Sequence, residues 1–346
     1  MTDRPRCVIF GAGALGLGFL GPELAPDASL TYCDIPAKAG FVNHVKDAGS
    51  YTFNQTGLSM RAVEVCGVSA LLIGEDDPAI DAAVDEADFV ITSVGQSNLK
   101  YLADRFAAAV DRRTSDRPLR ILCSENGVEI AAGLRELITG AAGVDPGSAL
   151  LIGETVMGRM CKVIEDPSGE VQPLGPDVGW GVVAEPFYGI PVEAHALEGL
   201  PDIPAAIDAQ TPARFKASED VKMLSHNALH LLLGLLGQRL GAEFYDDIRS
   251  HPQVMELGRR AVVEEAGPAL LRKHQGALPR NEYLNYCDSI LRRITCPVLH
   301  DPIGRGVRGI MRKLQPHERI VYATRTIAEH GGEPRTYALG LAAAIE

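Results

Sequence analysis

The sequence predicts an α/β protein, with an N-terminal Rossmann-type parallel-sheet domain followed by a mostly α-helical C-terminal domain. Three observations lead to this prediction. A glycine-rich turn follows the first apolar strand, strand and helix patterns then alternate, and from Arg214 onward the apolar residues recur with a helical period. The 346 residues are enough for two ordinary domains. Because residues 200–212 are loop-like and rich in proline, we place the domains at 1–205 and 206–346.

The composition is that of a globular protein, with 46% hydrophobic and 23% charged residues. The net charge of −12 argues against nucleic acid or an anionic membrane as the main partner. No apolar run approaches the roughly 18 residues of a membrane span, and we expect the start MTDRPRCVIF to lead into a strand rather than into the apolar region of a signal peptide. The seven cysteines are scattered and include no CxxC pair, which argues against a disulfide framework or a cysteine zinc site. We expect a cytoplasmic monomer or small homo-oligomer.

A glycine motif follows the first predicted strand, residues 7–10, and precedes a helix pattern. In a dinucleotide site of the type GxGxxG, the first glycine makes the turn, the second admits the pyrophosphate, and the third packs helix on strand. The pyrophosphate rests on the helix N-terminus. The predicted cofactor-binding residues here are Gly11, Ala12, Gly13, Ala14, Leu15 and Gly16.

An acidic residue, Asp34, ends the second predicted strand, residues 29–33, about 20 residues beyond the glycines. A carboxylate at this place accepts hydrogen bonds from the adenosine ribose and repels a 2′-phosphate, so the sequence favours NAD over NADP. A solvated aspartate at a strand end is the alternative interpretation.

Two later strands, predicted at residues 87–94 and 119–123, also end in polar or glycine residues. Because ligands bind at the carboxyl ends of parallel strands, we expect Gly95 and Glu125 beside the cofactor. The sequence pattern supports two interpretations of Asn126 equally. It donates to the reacting oxygen of the substrate, or it caps a helix predicted to begin near Val128.

The C-terminal domain is predicted to consist of helices at residues 214–240, 252–265, 269–274, 282–294, 316–329 and 336–345. The first of them contains VKMLSHNALHLLL, in which Lys222, Asn227 and His230 interrupt an apolar run. In a regular α-helix these polar groups fall within about 140° of one face. Such groups are costly to bury without partners, so we expect a polar ligand there. We expect the active site between the two domains.

These three residue types suit the oxidation of an alcohol by removal of a hydride. A buried lysine with a lowered pKa can take the hydroxyl proton, and an asparagine can donate to the oxygen that becomes a carbonyl. Further along, a basic cluster stands out against the acidic background. Its arginines suit phosphate or carboxylate, although an ordinary surface helix is an equal alternative. The members of this cluster are Arg305, Arg308, Arg312 and Lys313.

Together these motifs resemble the long-chain polyol dehydrogenase family, including its phosphate-using branch. The resemblance lies in VIFGAGALGLGFLG, in the K-x4-N-x2-H spacing, in CSEN at 123–126 and in RGVRGIMRKL. It implies a metal-independent, NAD-linked oxidation of a secondary alcohol in a polyol, a polyol phosphate or a sugar acid. It further implies that Lys222 is the general base and that His230 positions the substrate. The asparagines Asn126 and Asn227 would hold the oxyanion.

Three other functions remain open. The FGAGALG start also resembles ketopantoate reductase, a 2-oxoacid reductase, but that family favours NADPH and has a lysine where Gly95 and Gln96 stand here. His226 and His230 have the spacing of a helical zinc pair, but the glutamate of HExxH is replaced by Asn227. A dinucleotide-binding sensor without turnover is the third alternative, and it leaves the buried polar set unexplained.

Overall fold

The computed structural model describes residues 4–113, 117–127 and 129–345. The chain forms two compact units, which divide between Thr211 and Pro212. The sequence placed this boundary between residues 205 and 206. Val128, near which a helix was predicted to begin, lies outside the described residues.

The first unit is built on a parallel sheet of six strands in the order β5-β2-β1-β6-β7-β8. A smaller sheet has the order β4-β3-β10-β9, and β11 pairs in parallel with β12. The strands are β1 (Arg6–Phe10), β2 (Ser29–Asp34), β3 (Ser50–Gln55), β4 (Arg61–Cys66), β5 (Val68–Leu72), β6 (Phe89–Thr92), β7 (Leu119–Cys123), β8 (Leu150–Glu154), β9 (Cys161–Glu165), β10 (Trp180–Ala184), β11 (Ile190–Glu193) and β12 (Ile207–Gln210).

The helices of this unit connect the parallel strands. They are α1 (residues 16–24, a π-helical turn Gly16–Leu20 followed by Gly21–Leu24), α2 (Ala39–Ala48), α3 (Asp77–Glu86), α4 (Ala103–Arg112) and α5 (Ile130–Ala142). Short 3₁₀ segments lie at Pro36–Lys38, Gln96–Tyr101, Gly147–Ala149 and Ala194–Leu197.

Both faces of the large sheet are covered, as its central strand β1 shows. Cys7 and Ile9 belong to one hydrophobic core cluster, whereas Val8 and Phe10 belong to a second one. Alternate residues of a strand point to opposite faces, so a strand buried on both sides is a continuous apolar run. This arrangement leaves the carboxyl ends of the strands as the place for polar residues.

The second unit is helical. Its helices are α6 (residues 212–239), α7 (residues 252–273), α8 (Arg280–Ile294), α9 (Ile303–Val307), α10 (Ile310–Lys313), α11 (Arg319–Glu329) and α12 (Arg335–Ile345), with a 3₁₀ segment at Tyr245–Ser250. The second half of α6 forms much of its core, because Leu229, Leu231, Leu232 and Leu233 are fully buried. No described helix combines the length and apolar character that crossing a membrane requires.

Two predictions about elements were wrong. The proline-rich residues 200–212 are not all loop, because β12 lies within them and pairs with β11. Because β12 pairs with a separate segment, β11, no pattern within residues 200–212 indicates that they contain a strand. The helices predicted at 252–265 and 269–274 form one helix, α7, which contains a π-helical turn at Ala261–Ala266. Pro268 follows this turn, where the hydrogen-bond pattern already departs from that of a regular α-helix.

Candidate active site

The glycine motif forms a tight turn between β1 and α1. Gly11 has φ of 109°, and a Cβ there would lie 2.3 Å from the Ser93 carbonyl oxygen. A Cβ on Gly16 would lie 2.2 Å from the Gly11 oxygen, whereas one on Gly13 would meet nothing within 4 Å. The first and third glycines therefore serve the packing of the turn itself. The second leaves open space, as the approach of a pyrophosphate requires.

Asp34 holds the glycine turn through its carboxylate. Its Oδ2 accepts a hydrogen bond of 2.6 Å from the Ala12 amide, and its Oδ1 accepts one of 2.7 Å from the amide of Ile35. The end of β2 is thus tied to the turn after β1. This fixed position is the one predicted for the residue that contacts the adenosine ribose.

A cleft of about 710 Å³ opens at this end of the sheet, and we call it the cofactor cleft. Its volume is in the range of sites for small molecules and cofactors. It contains Gly11, Gly13 and Asp34 of the sequence prediction. The other residues that line it are Ile35, Ile73, Asp77, Asp81, Ser93, Val94, Asn98, Tyr101, Leu102, Asp104, Arg105 and Ala108.

Glu125 is buried just beyond the end of β7. Its Oε2 accepts a hydrogen bond of 2.7 Å from Thr92 Oγ1, and its Oε1 accepts one of 3.1 Å from the Val94 amide. Burial raises the pKa of Glu125, and these hydrogen bonds oppose the increase. The carboxyl group therefore fixes the ends of β6 and β7 against each other, beside the cleft residue Val94.

Gly95 and Asn126 complete the residues predicted in this unit. Gly95 directly precedes the 3₁₀ segment Gln96–Tyr101 and has φ of 87°. Glycine adopts this backbone conformation more readily than other residues do. Asn126 is exposed after β7. Helix α5 begins at Ile130 with Glu129 in the N-cap position, so Asn126 does not cap it. Of the two interpretations, contact of Asn126 with the reacting oxygen stays as a prediction.

The π-helical turn at the start of α1 is held by three buried side chains that the sequence did not identify. A π-helical turn changes which carbonyl groups pair within the helix, so outside donors can satisfy them. Tyr32 donates to the carbonyl of Gly16, Tyr51 to that of Leu17 and Arg159 to that of Gly18, at 3.2, 2.9 and 2.8 Å. Arg159 also pairs with Glu23. These residues lie far apart in the sequence, and no local pattern links them.

In the second unit, α6 contains a π-helical turn at Met223–Asn227, directly after Lys222. The Ala228 amide donates to the Met223 carbonyl, five residues earlier. In such a turn, residues five apart stack along the helix as residues four apart do in an α-helix. The structure therefore corrects the expected regular helix. The K-x4-N spacing matches the π-helical turn and brings Lys222 and Asn227 toward the same face.

Lys222 is half-buried, and its pKa is lowered to about 8. Burial is the main cause, and the cation of Arg319 adds to it, while Glu219 opposes it. A lysine with this pKa is partly neutral near neutral pH, as a general base must be. Asn227 is half-buried too, and its Nδ2 lies 3.9 Å from Met223 Sδ. Sulfur is a weak acceptor, which a substrate oxygen can replace.

Asp220, two residues before Lys222, fixes the first part of α6. It is 1% exposed and accepts hydrogen bonds from His274 Nε2 at 2.8 Å and Tyr322 Oη at 3.0 Å, and Lys273 Nζ lies 2.8 Å away. Burial opposes ionisation of Asp220, but the hydrogen bonds from His274 and Lys273 and the charges of Lys216 and Lys273 outweigh burial and lower its pKa to about 2. Lys222 thus follows a helical turn that is tied to α7 and α11.

His230 is held by two neighbours. Its Nε2 lies 3.1 Å from Asp301 Oδ2, and its Nδ1 lies 3.0 Å from Tyr245 Oη. Burial lowers the pKa of His230, and the Asp301 carboxylate opposes that shift. Arg305 completes the group by binding both oxygens of Asp301, at 2.7 and 2.6 Å. Both imidazole nitrogens are therefore engaged within this unit, and contact between His230 and substrate stays as a prediction.

The members of the basic cluster do not share one environment. Arg305 binds Asp301 and Arg312 binds Glu318, whereas Arg308 is exposed. Lys313 is buried and donates to the Gly306 carbonyl. Burial lowers the pKa of Lys313 to about 8, with Arg319 and Arg312 adding to the effect.

Arg319 is a functional candidate that the sequence analysis missed. Its charge lowers the pKa values of Lys222, His230 and Lys313. It begins α11 with φ of 26°, a conformation that residues other than glycine rarely adopt. Strained backbone of this kind is concentrated at functional sites. Nothing in the sequence around Arg319 indicated that its charge would act on these three side chains.

His226 and His230 have the spacing of a helical zinc pair, but a zinc ion on His230 would have to displace one of its present partners. Both ring nitrogens of His230 are engaged by Asp301 and Tyr245. His226 is buried, and burial together with the cation of Arg293 lowers its pKa well below the usual value. Within the described ranges, no group of three or more His, Cys, Asp and Glu side chains is placed to hold a metal ion.

The fold and the site together define the class of protein, a two-domain dinucleotide-dependent dehydrogenase. Residues 5–204 match the family model of the mannitol dehydrogenase Rossmann domain. The chain therefore belongs to the mannitol dehydrogenase family, which confirms the resemblance found in the sequence.

Full-length relatives and solved structures agree with this assignment. The mannitol-1-phosphate 5-dehydrogenase of Exiguobacterium sibiricum is 28% identical over 344 residues, which cover 98% of this chain and 85% of that protein. The enzyme of the same name from Pseudarthrobacter chlorophenolicus is 28% identical over 342 residues, with the same two shares. The ternary complex of Pseudomonas fluorescens mannitol 2-dehydrogenase with NAD and D-mannitol has a TM-score of 0.73 at 14% identity, covering 99% of this chain and 79% of that one. A D-sorbitol dehydrogenase has a TM-score of 0.78 at 16% identity, with shares of 99% and 80%. These two structures confirm the predicted fold class.

Proposed function

We propose that the protein is an NAD-dependent secondary-alcohol dehydrogenase of a polyol, and that its preferred substrate is a polyol phosphate. The observation that carries the proposal is the half-buried Lys222, whose pKa is lowered to about 8 and which directly precedes a π-helical turn ending at Asn227. The assignment to the mannitol dehydrogenase family gives this lysine its reaction.

The cofactor cleft fits NAD. Gly13 leaves space at the turn where the pyrophosphate would lie, and Asp34 stands at the end of β2 for the adenosine ribose. When bound there, NAD supplies the acceptor for the hydride. The residues that would hold it are Gly11, Ala12, Gly13, Ala14, Leu15, Gly16, Asp34, Gly95 and Glu125.

The chemistry of the second unit is proton transfer and charge stabilisation. Neutral Lys222 accepts the proton of the substrate hydroxyl as the hydride leaves the same carbon. Asn227 donates a hydrogen bond to the oxygen that becomes the carbonyl, where negative charge develops, and the same role is proposed for Asn126 of the first unit. His230, oriented by Asp301, holds the neighbouring hydroxyls of the substrate.

The preference for a phosphorylated polyol is supported by the relatives named mannitol-1-phosphate 5-dehydrogenase. Positive charge in the second unit also supports it, since Arg308 is exposed and Arg319 is close enough to Lys313 to lower the pKa of Lys313. A free polyol is the second candidate, because Arg305 and Arg312 already bind carboxylates of the protein.

The test is NAD reduction with mannitol 1-phosphate, other sugar-alcohol phosphates, free polyols and aldonates. We expect turnover with the phosphates. Turnover with free polyols alone would overturn the preference for phosphate, and no turnover with any compound would count against the proposed activity. In the Lys222→Ala variant, turnover should be lost while NAD binding, measured by calorimetry, is retained. Lys216→Ala, on the same helix, is the matched control and should keep its activity.

A further inference from the structure

The described lining of the cofactor cleft is strongly acidic. Four aspartates line it, and among its described lining residues Arg105 is the single cation. An arginine in such a place is a ready ligand for phosphate, because its planar group donates two parallel hydrogen bonds. A phosphate on the adenosine ribose, which distinguishes NADP from NAD, would therefore find one suitable donor. The aspartates are Asp34, Asp77, Asp81 and Asp104.

Two of these aspartates bind Arg105. Arg105 Nε donates to Asp81 Oδ1 at 2.7 Å, and Nη2 donates to Asp77 Oδ1 at 2.7 Å. Both carboxylates belong to α3, four residues apart, so one helix face presents them together to α4. The Arg105 side chain is only 16% exposed, whereas those of Asp77 and Asp81 are 45% and 46% exposed. The carboxylates thus stand between the guanidinium and solvent.

We propose that Asp77 and Asp81 are specificity-determining residues for the cofactor. By holding two nitrogens of Arg105, they withhold the one cation among the described residues of the cleft from a ribose phosphate. Their own charges add to the repulsion that Asp34 exerts. The preference for NAD over NADP therefore has two determinants, the acid at the end of β2 and a neutralised arginine on α4.

This inference rests on the proposed use of NAD, so the test measures cofactor binding directly and needs no substrate. Dissociation constants for NAD and NADP are measured by calorimetry with the wild-type chain and with Asp81→Ala. Asp81 is the better of the two positions, since Asp77 also accepts a hydrogen bond of 3.2 Å from the Gly74 amide. The comparison is repeated in the Asp34→Ser background, with and without Asp81→Ala, because Asp34→Ser removes the acid at the end of β2.

A matched control lies on the same two helices. Asp85 of α3 binds Arg112 of α4 at 2.6 and 2.9 Å, and neither residue lines the cofactor cleft. Asp85→Ala removes an equivalent ion pair without changing the charge of the cleft. It therefore separates a local effect on the cleft from a general loosening of α3 against α4.

We expect Asp81→Ala to lower the ratio of the NADP to the NAD dissociation constant about tenfold, the effect of one charge-assisted hydrogen bond. Asp85→Ala should leave the ratio unchanged, and adding Arg105→Gln to Asp81→Ala should reverse the gain. The inference would be overturned if Asp81→Ala left the ratio of the two dissociation constants unchanged both in the wild-type chain and in the Asp34→Ser chain. It would also be overturned if Asp85→Ala changed the ratio as much as Asp81→Ala does. A wild-type protein that binds neither cofactor would overturn the proposed function as well.

Discussion

The proposed role of Lys222 as general base determines how the reaction should depend on pH. Oxidation requires the neutral amine, and burial together with the cation of Arg319 lowers the pKa of Lys222 to about 8. The rate of alcohol oxidation should therefore rise as the pH increases through about 8 and level off above it. The reverse reduction requires the ammonium form and should fall over the same range. Both profiles are obtained from initial rates of NAD reduction and NADH oxidation.

Arg319→Gln tests the cause of that pKa. Without the cation, Lys222 binds its proton more tightly, so the midpoint of the oxidation profile should move to higher pH. Arg325→Gln is the control, because Arg325 lies on the same helix and is exposed beside Glu329. A midpoint that stays in place in Arg319→Gln would remove Arg319 from the electrostatic environment of the base.

Among single residues, the candidates that the sequence predicted are those whose spacing or position after a strand is itself a pattern. Lys222, Asn227 and His230 are of this kind. Asp301, which orients His230, lies 71 residues beyond it. Such a partner comes close only through the packing of helices, so the local sequence does not indicate it. The same reason explains why Arg159 and Arg319 were missed.

At the level of elements, the turn between β1 and α1 separates two roles of glycine. A Cβ on Gly16 would lie 2.2 Å from the Gly11 oxygen, whereas a Cβ on Gly13 would meet no atom within 4 Å. Gly16→Ala should therefore lower the thermal midpoint of the protein without cofactor. Gly13→Ala should leave that midpoint unchanged and weaken NAD binding, because the methyl group takes the space of the pyrophosphate.

Thermal unfolding followed by circular dichroism, together with calorimetric titration of NAD, distinguishes these two variants. Equal loss of stability in both would show that the turn does not tolerate a side chain at either position. Unchanged NAD binding in Gly13→Ala would place the pyrophosphate elsewhere.

The π-helical turn of α6 shows where element prediction reached its limit. The apolar run around Lys222 predicted a helix, and the helix is present from residue 212 to 239. Its hydrogen-bond pattern is irregular at Met223–Asn227, and the angle between Lys222 and Asn227 depends on this irregularity. Side-chain periodicity is insensitive to one displaced hydrogen bond, so the sequence predicted the helix but not the π-helical turn within it.

For the whole molecule, the alternation of buried strands and helices predicted the parallel sheet and the helical second unit. Strand β7 (LRILC) is fully buried and apolar except for Arg120, and it was predicted with its observed bounds. The small sheet was not predicted as a unit. Its neighbours β3 and β10 come from segments more than a hundred residues apart, and Asn54 pairs with Val183 across that distance. Pairing of distant edges leaves no trace in local composition.

The acidic lining of the cofactor cleft also has a kinetic consequence. The protein carries a net charge of −12, and four of the aspartates face the route of an anionic cofactor. Reduced NADH carries one more negative charge than NAD, so the field slows its encounter more. Added salt screens this field. Stopped-flow association rates should therefore increase with ionic strength, and more steeply for NADH. At low salt, the same repulsion slows the rebinding of NADH after it has dissociated.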